Sequence, residues 1–221
     1  MIPGVGGHYA HVATFAIASL TAVTLGLAAK TSLGKGEQAV LPAPKFSLRG
    51  LFELLTEFIH GLTEMVVGHH GLSYVPLFTA IFFFVLINNL MGIIPGIAPA
   101  TENFNTTLAM GLIIFLFYNY QGLKENGWSY LKHFMGPMLW LAPLMVVIEL
   151  ISHLVRPVSL GLRLANVMKG DHTVLGIFLD LVPVLVPIPF YVLGIFVCFV
   201  QAFVFTLLSM VYVSMAIAHD H

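Results

Sequence analysis

Apolar residues run through this chain in long blocks divided by short polar stretches, and the block lengths predict its elements. The first block covers residues 10–29, about the twenty residues that a helix rising about 1.5 Å per residue needs to cross a hydrocarbon layer of about 30 Å. No Lys or Arg precedes it, as a secretory signal requires, so it reads as a retained first span; Leu27-Ala28-Ala29 loosely resembles a small-residue cleavage site and makes a cleavable signal the alternative. Residues 30–46, rich in Gly, Pro and Lys, predict an extended loop in water. The pattern then changes character. Leu48, Leu51, Phe52, Leu55, Phe58, Ile59, Leu62, Met65 and Val66 recur at helical spacing with Arg49, Glu53, Glu57, His60 and Glu64 opposite, which predicts an amphipathic helix over 47–67 with Ser47 as its N-cap. Its polar face is mainly acidic, so it is expected to lie along the membrane surface or against a partner without attraction to anionic lipid.

Apolar runs at 75–95 and 106–121 predict two further spans, the second short unless it leans on neighbours or continues past Gly122. Lys124, Glu125 and Lys132 then return the chain to water. A long, mostly apolar stretch follows at 137–182, and Pro183, Pro187 and Pro189 mark a turn before a last run at 188–217. As a single helix the penultimate stretch would measure about 65 Å, twice the bilayer, so it must tilt strongly or break, and the last two stretches form a hairpin within the membrane. The expected fold is an all-α integral membrane protein, one membrane domain with five membrane-embedded helices (the first within 1–31) and one amphipathic surface helix. Basic residues orient it. Lys30, Lys35, Lys45 and Arg49 follow the first span and Lys124 and Lys132 the third, while the connections around Glu102 and Pro187 have none. The basic loops should face the cytoplasm, leaving the N-terminus outside and His219-Asp220-His221 inside. No internal repeat of carrier type is visible.

Composition narrows the function classes. The chain is 58 % hydrophobic and 9 % charged, against roughly 25 % charged in soluble domains, which leaves too little polar surface to clothe a water-soluble globule. Nine basic and ten acidic residues give a net charge of −1, with no pull toward nucleic acid. The single cysteine, Cys198, sits in an apolar run, allows no intramolecular disulfide and reads as buried filler. Gly34-Lys35 is followed by Gly36, where a Walker-type loop has Ser or Thr, so no nucleotide site is expected. His69 and His70 would point about 100° apart on a helix and make a poor chelate, and the tail pair reads as solvated; neither metal nor cofactor is expected.

The chemistry gathers in the penultimate stretch, which holds Glu149, Arg156, Arg163, Lys169, Asp171 and Asp180 with His153 and His172 beside them. A charge at the bilayer centre costs at least about 2.5 to 3.5 kcal/mol, so such residues face protein or water and mark a pathway. Glu149, Arg156 and Arg163 are spaced by sevens and stay within about 40° of one another on a helix. Ser152, His153, Ser159 and Asn166 fall on or beside that stripe, completing a polar seam. Internal Glu149–Arg156 salt bridges that merely stabilise packing are the alternative. Arg163, however, has Ser159 and Val167 at i−4 and i+4, so its partner must come from elsewhere. A guanidinium buried in such a seam cannot shed its proton. It can draw in a carboxylate on a moving neighbour, expel that group's proton and repel passing cations, which describes a gate. In the last run Gln201 is the conspicuous polar residue, with Ser209 and Tyr212 on a similar side, and interhelical glue is its alternative reading.

Those residues lie within a specific pattern. The run from Arg156 through Pro157, Ser159, Gly161 and Arg163 to Asn166 closely resembles the signature of the a subunits of F-type ATP synthases. Asn88-Asn89-Leu90-Met91-Gly92, Asn105-Thr106-Thr107-Leu108-Ala109 and Gln201-Ala202-Phe203-Val204-Phe205 are similar to further motifs of that family, in the expected order. The resemblance covers most of the chain after residue 75.

What it implies is a stator subunit against a rotating c-ring, with two offset aqueous half-channels and an energy-coupling membrane, the bacterial inner membrane, as its location. The peripheral stalk b subunits, other F0/F1 subunits and lipid are implied partners. Arg163 matches the arginine that meets the ring carboxylate, Gln201 the glutamine packed near it, and Asn166 or its neighbours a polar channel position. Glu149 and His172 match half-channel positions. The chain departs from the family pattern across residues 165–171 and at Gly194, which often holds His or Glu, so Asp171, His172 and Asp180 are all candidates for the outer relay. A self-contained channel or secondary transporter, or a purely structural anchor, are the competing classes.

Overall fold

A computed structural model describes residues 10–32, 47–94, 97–127, 142–181 and 187–217. The expected loops carrying Lys35, Lys45 and Lys132, the turn residue Pro183 and the tail His219-Asp220-His221 lie outside the described residues. Within them the chain forms α1 (Ala10–Ser32), α2 (Leu48–Val67), α3 (Val75–Met91), α4 (Phe104–Asn126), α5 (Ala142–Leu181) and α6 (Pro187–Ile217). The described residues contain no strand. Five of these helices, all but α2, are long and apolar enough to cross a membrane.

The helix ends follow local chemistry. Ser47 is extended at the start of α2 and its hydroxyl accepts the Gly50 N–H, satisfying one of the first-turn donors. The helix stops where Gly68 turns to φ 80, and a 3₁₀ turn over His69–Tyr74 leads into α3. The third helix ends at Met91, short of the expected 95, because Gly92 begins a non-helical connection. The fourth starts from Asn103, whose side chain accepts from the Asn105 N–H, and runs to Asn126. It therefore passes residue 121, where the apolar pattern fades, and places Lys124 and Glu125 in its final turn before Gly127 at φ 52. Of the two alternatives for the penultimate stretch, an unbroken rod is found: α5 has 40 residues with Pro157 inside it.

Small residues set the central packing. The antiparallel pair α4 and α5 comes so close that a Cβ on Gly111 would sit 2.6 Å from the Pro157 carbonyl oxygen, and one on Gly161 would sit 3.0 Å from the Leu108 backbone. Glycine permits this approach, as is common between membrane helices. A shared core follows, with Phe78, Phe82 and Val85 from α3, Ile114 and Tyr118 from α4, Leu160, Leu164 and Met168 from α5, and Ala202, Phe205 and Met210 from α6.

Helix α2 buries Leu55, Ile59 and Thr63 in the chain's own interior, and Ser214 of α6 donates to the Val66 carbonyl at 3.0 Å. Its apolar residues thus divide into two faces. Leu51, Leu54, Phe58 and Met65 remain exposed beside the acidic stripe, so this helix has a protein face, an outward apolar face and a polar face. The periphery belongs to α1, which touches the rest through buried Thr14 and Ala18 and an edge contact of Phe15 with Phe84.

Candidate functional site

Helix α5 carries most of the polar seam, and its neighbours divide that seam into three tiers. The tier nearest the start of α5 centres on His153, which is buried against α4. Asn119 donates its amide N–H to the Phe115 carbonyl at 2.7 Å, which turns its Oδ1 toward His153 Nε2, 2.8 Å away. That orientation places a proton on Nε2, and the Tyr118 hydroxyl lies 3.3 Å from the same nitrogen. One turn further, Arg156 reaches Glu149 at 3.4 Å and lies 5.8 Å over the Tyr212 ring. The internal pair considered from spacing is therefore present, embedded in a larger polar set. Ser159 bends back to donate to the Arg156 carbonyl at 2.9 Å, and Ser152 is exposed.

The middle tier is Arg163. It stands near the midpoint of α5, about 10 Å along the axis from Arg156. The sequence predicts a guanidinium buried in the seam; in the chain itself Arg163 is exposed instead. The reason is geometric. Helices α4 and α6 cover the face bearing Leu160, Leu164 and Met168, and Arg163 projects about a third of a turn away from it. Exposed Leu162 and Asn166 share the open side. Among the described residues, no ion pair or hydrogen bond ties Arg163 to its own chain. Gln201 is buried on α6.

The third tier lies about 13 Å beyond Arg163, at Asp171 and His172. His172 Nδ1 is 3.4 Å from Glu102 Oε2, and its Nε2 contacts the Gly92 carbonyl. Asp171, half-buried, packs its carboxylate against Gly194 of α6: a Cβ on that glycine would be 3.1 Å from Oδ2. The missing side chain at Gly194 is thus matched by an added acid on the facing helix. Asp180 is exposed two turns further on and joins none of these groups.

Sequence reasoning missed Tyr118, Asn119, Thr101 and Glu102 as site residues and placed Asn89 only within a motif. The available signal was weak: polar residues such as Asn89 and Asn119 sit within apolar blocks, but nothing local says which helix they face.

Comparison with known proteins places the chain in a family. Residues 11–214 match the family described as ATP synthase A chain. The chain is 70 % identical over 222 aligned positions to ATP synthase subunit a of Bdellovibrio bacteriovorus, covering 100 % of this chain and 97 % of that one. It is 46 % identical over 174 residues to ATP synthase subunit a of Trichlorobacter lovleyi, covering 79 % and 76 %. Over 181 residues it is 45 % identical to ATP synthase subunit a of Geobacter sulfurreducens, covering 82 % and 79 %. The spacing of the polar tiers and the extent of these matches lead to one assignment, that the chain belongs to the ATP synthase A chain family.

Proposed function

We propose that Arg163 is the rotor-facing gate of this subunit, meeting the carboxylate of each passing c subunit between two half-channels built from the first and third tiers. Family membership carries the outline: an integral subunit of a proton-translocating ATP synthase in a bacterial inner membrane, working with that enzyme's other subunits, with nucleotide chemistry elsewhere. One observation carries the finer reading. Arg163 is exposed at the middle of a membrane helix, and among the described residues of its own chain no acid pairs with it. With a pKa above about 12 it stays cationic. Left against lipid it would cost at least about 2.5 to 3.5 kcal/mol, so a partner has to cover it. A ring carboxylate does so and releases its proton on arrival, because an adjacent fixed cation favours the ionised acid.

On this reading Glu149, Ser152, His153, Arg156 and Ser159 line the cytoplasmic half-channel, and Asn166, Asp171, His172 and Asp180 the outer one, with Gln201 packed near the gate. The N-terminus lies outside and the C-terminus in the cytoplasm, consistent with basic Lys30, Arg49 and Lys124 all falling on one side. Peripheral stalk b subunits hold the stator, and lipid covers the remaining apolar surface. A private pore is disfavoured because Arg163 faces outward from the helix bundle.

In reconstituted whole enzyme, Arg163→Ala should abolish ATP synthesis driven by a proton gradient while leaving hydrolysis by the soluble sector intact. Arg163→Lys should restore it only in part, since an ammonium lacks the planar fork. Specific proton conduction by the purified chain without its ring would overturn the proposal.

A further inference from the structure

The connection between α3 and α4 lies outside both helices, yet it is tied down. Thr101 is fully buried, and its hydroxyl donates to Asn89 Oδ1 at 2.8 Å. Asn89 in turn donates to the Cys198 carbonyl of α6 at 3.5 Å. The next residue is Glu102, which is therefore presented from a fixed backbone to His172 Nδ1, 3.4 Å away. His172 reaches past it to the Gly92 carbonyl. Gly92 is what lets the ring approach, because a Cβ there would stand 2.9 Å from His172 Nε2 and 2.7 Å from Pro99 Cγ. Both ring nitrogens are thus engaged by the same short connection.

The two partners are chemically unequal. A carbonyl oxygen only accepts, so Nε2 must carry a hydrogen and is committed to Gly92. The exchangeable position is Nδ1. Either protonated Glu102 donates its O–H to a bare Nδ1, or Nδ1–H donates to the Glu102 carboxylate; one proton moves between oxygen and nitrogen and no other bond changes. The pair is neutral overall in both states, so the transfer leaves its net charge unaltered. Around it, the α3–α4 connection contributes the Gly92 carbonyl, α6 contributes Gly194 without a side chain, and α5 itself contributes Asp171 and the exposed Lys169.

We infer that Glu102 is the proton-loading residue of the outer half-channel, collecting protons at the α3–α4 connection and exchanging them with His172 Nδ1. This rests on the proton path proposed above and extends it to a residue of the connection, off the helix that bears the gate.

The test uses whole enzyme in proteoliposomes, with ATP synthesis measured as the pH of the outer-side compartment is varied. Glu102→Gln should cut the rate at neutral outer pH severalfold or more. The rate should recover in part as that side is acidified, because a path with one base fewer loads only when bulk protons are abundant. Glu102→Asp should keep most of the rate with a displaced profile. A Gln variant with wild-type rate and profile would overturn the inference. Should Gln remove the subunit from the complex, the Asp variant decides: a displaced profile supports the relay and a superimposable one overturns it. Arg163→Ala in the same preparation separates the two levels. If it blocks synthesis while Glu102→Gln does not, only the loading role falls; if it too synthesises normally, the underlying path falls.

Discussion

A side chain's job here depends on which of its neighbours come from its own chain. His153 is enclosed by Tyr118, Asn119 and the Phe115 ring, whereas Arg163, ten residues along the same helix, faces outward. Asn119→Leu should therefore weaken the set around His153 and lower stability by about 1 to 3 kcal/mol, the usual cost of unpairing a buried polar group, read as a lower temperature of dissociation of the assembled complex. The same substitution should slow proton conduction without abolishing it. That Glu149, Arg156 and Arg163 share one side was legible in the sequence, because spacing by sevens is a property of one helix. That Asn119 meets His153, or Glu102 meets His172, was not, because it depends on the register between helices.

Elements in this molecule are matched by contact size. At Gly111 and Gly161 the partner is backbone, which cannot swing aside. Gly111→Ala or Gly161→Ala should cost about 1 to 3 kcal/mol through overpacking and reduce the amount of subunit recovered in the purified complex. Gly61 on α2 has nothing within 4 Å of its would-be Cβ, so Gly61→Ala should be neutral or stabilise by up to about 1 kcal/mol, since alanine is the better helix former. Helix existence could be read from hydropathy, but the ends less so. Hydropathy fades at Gln121 while the backbone bonds of α4 continue until Gly127 adopts positive φ. For α2 the two-sided pattern concealed a third face, which appears only once α3 and α6 cover part of the helix.

For the whole molecule, the open side of α5 should be the rotor contact. Leu162→Cys and Asn166→Cys should form disulfides with a cysteine placed on the facing c-subunit helix under mild oxidation, and buried Leu164→Cys should not. Equal cross-linking from all three would contradict the arrangement. The native Cys198 is buried and should stay silent in this assay.

The unbroken α5 also bears on leakage. A rod about 60 Å long, were all of it held within a layer about 30 Å thick, would lie roughly 60° from the membrane normal. At that slope His153 and His172, nineteen residues apart, would be separated by about 14 Å in depth and about 25 Å sideways. A line between them runs mostly along the membrane rather than across it. On the proposed path, a proton reaching one end of this ramp arrives at the other only by being carried laterally, so the slope of a single helix would guard the membrane against short circuit.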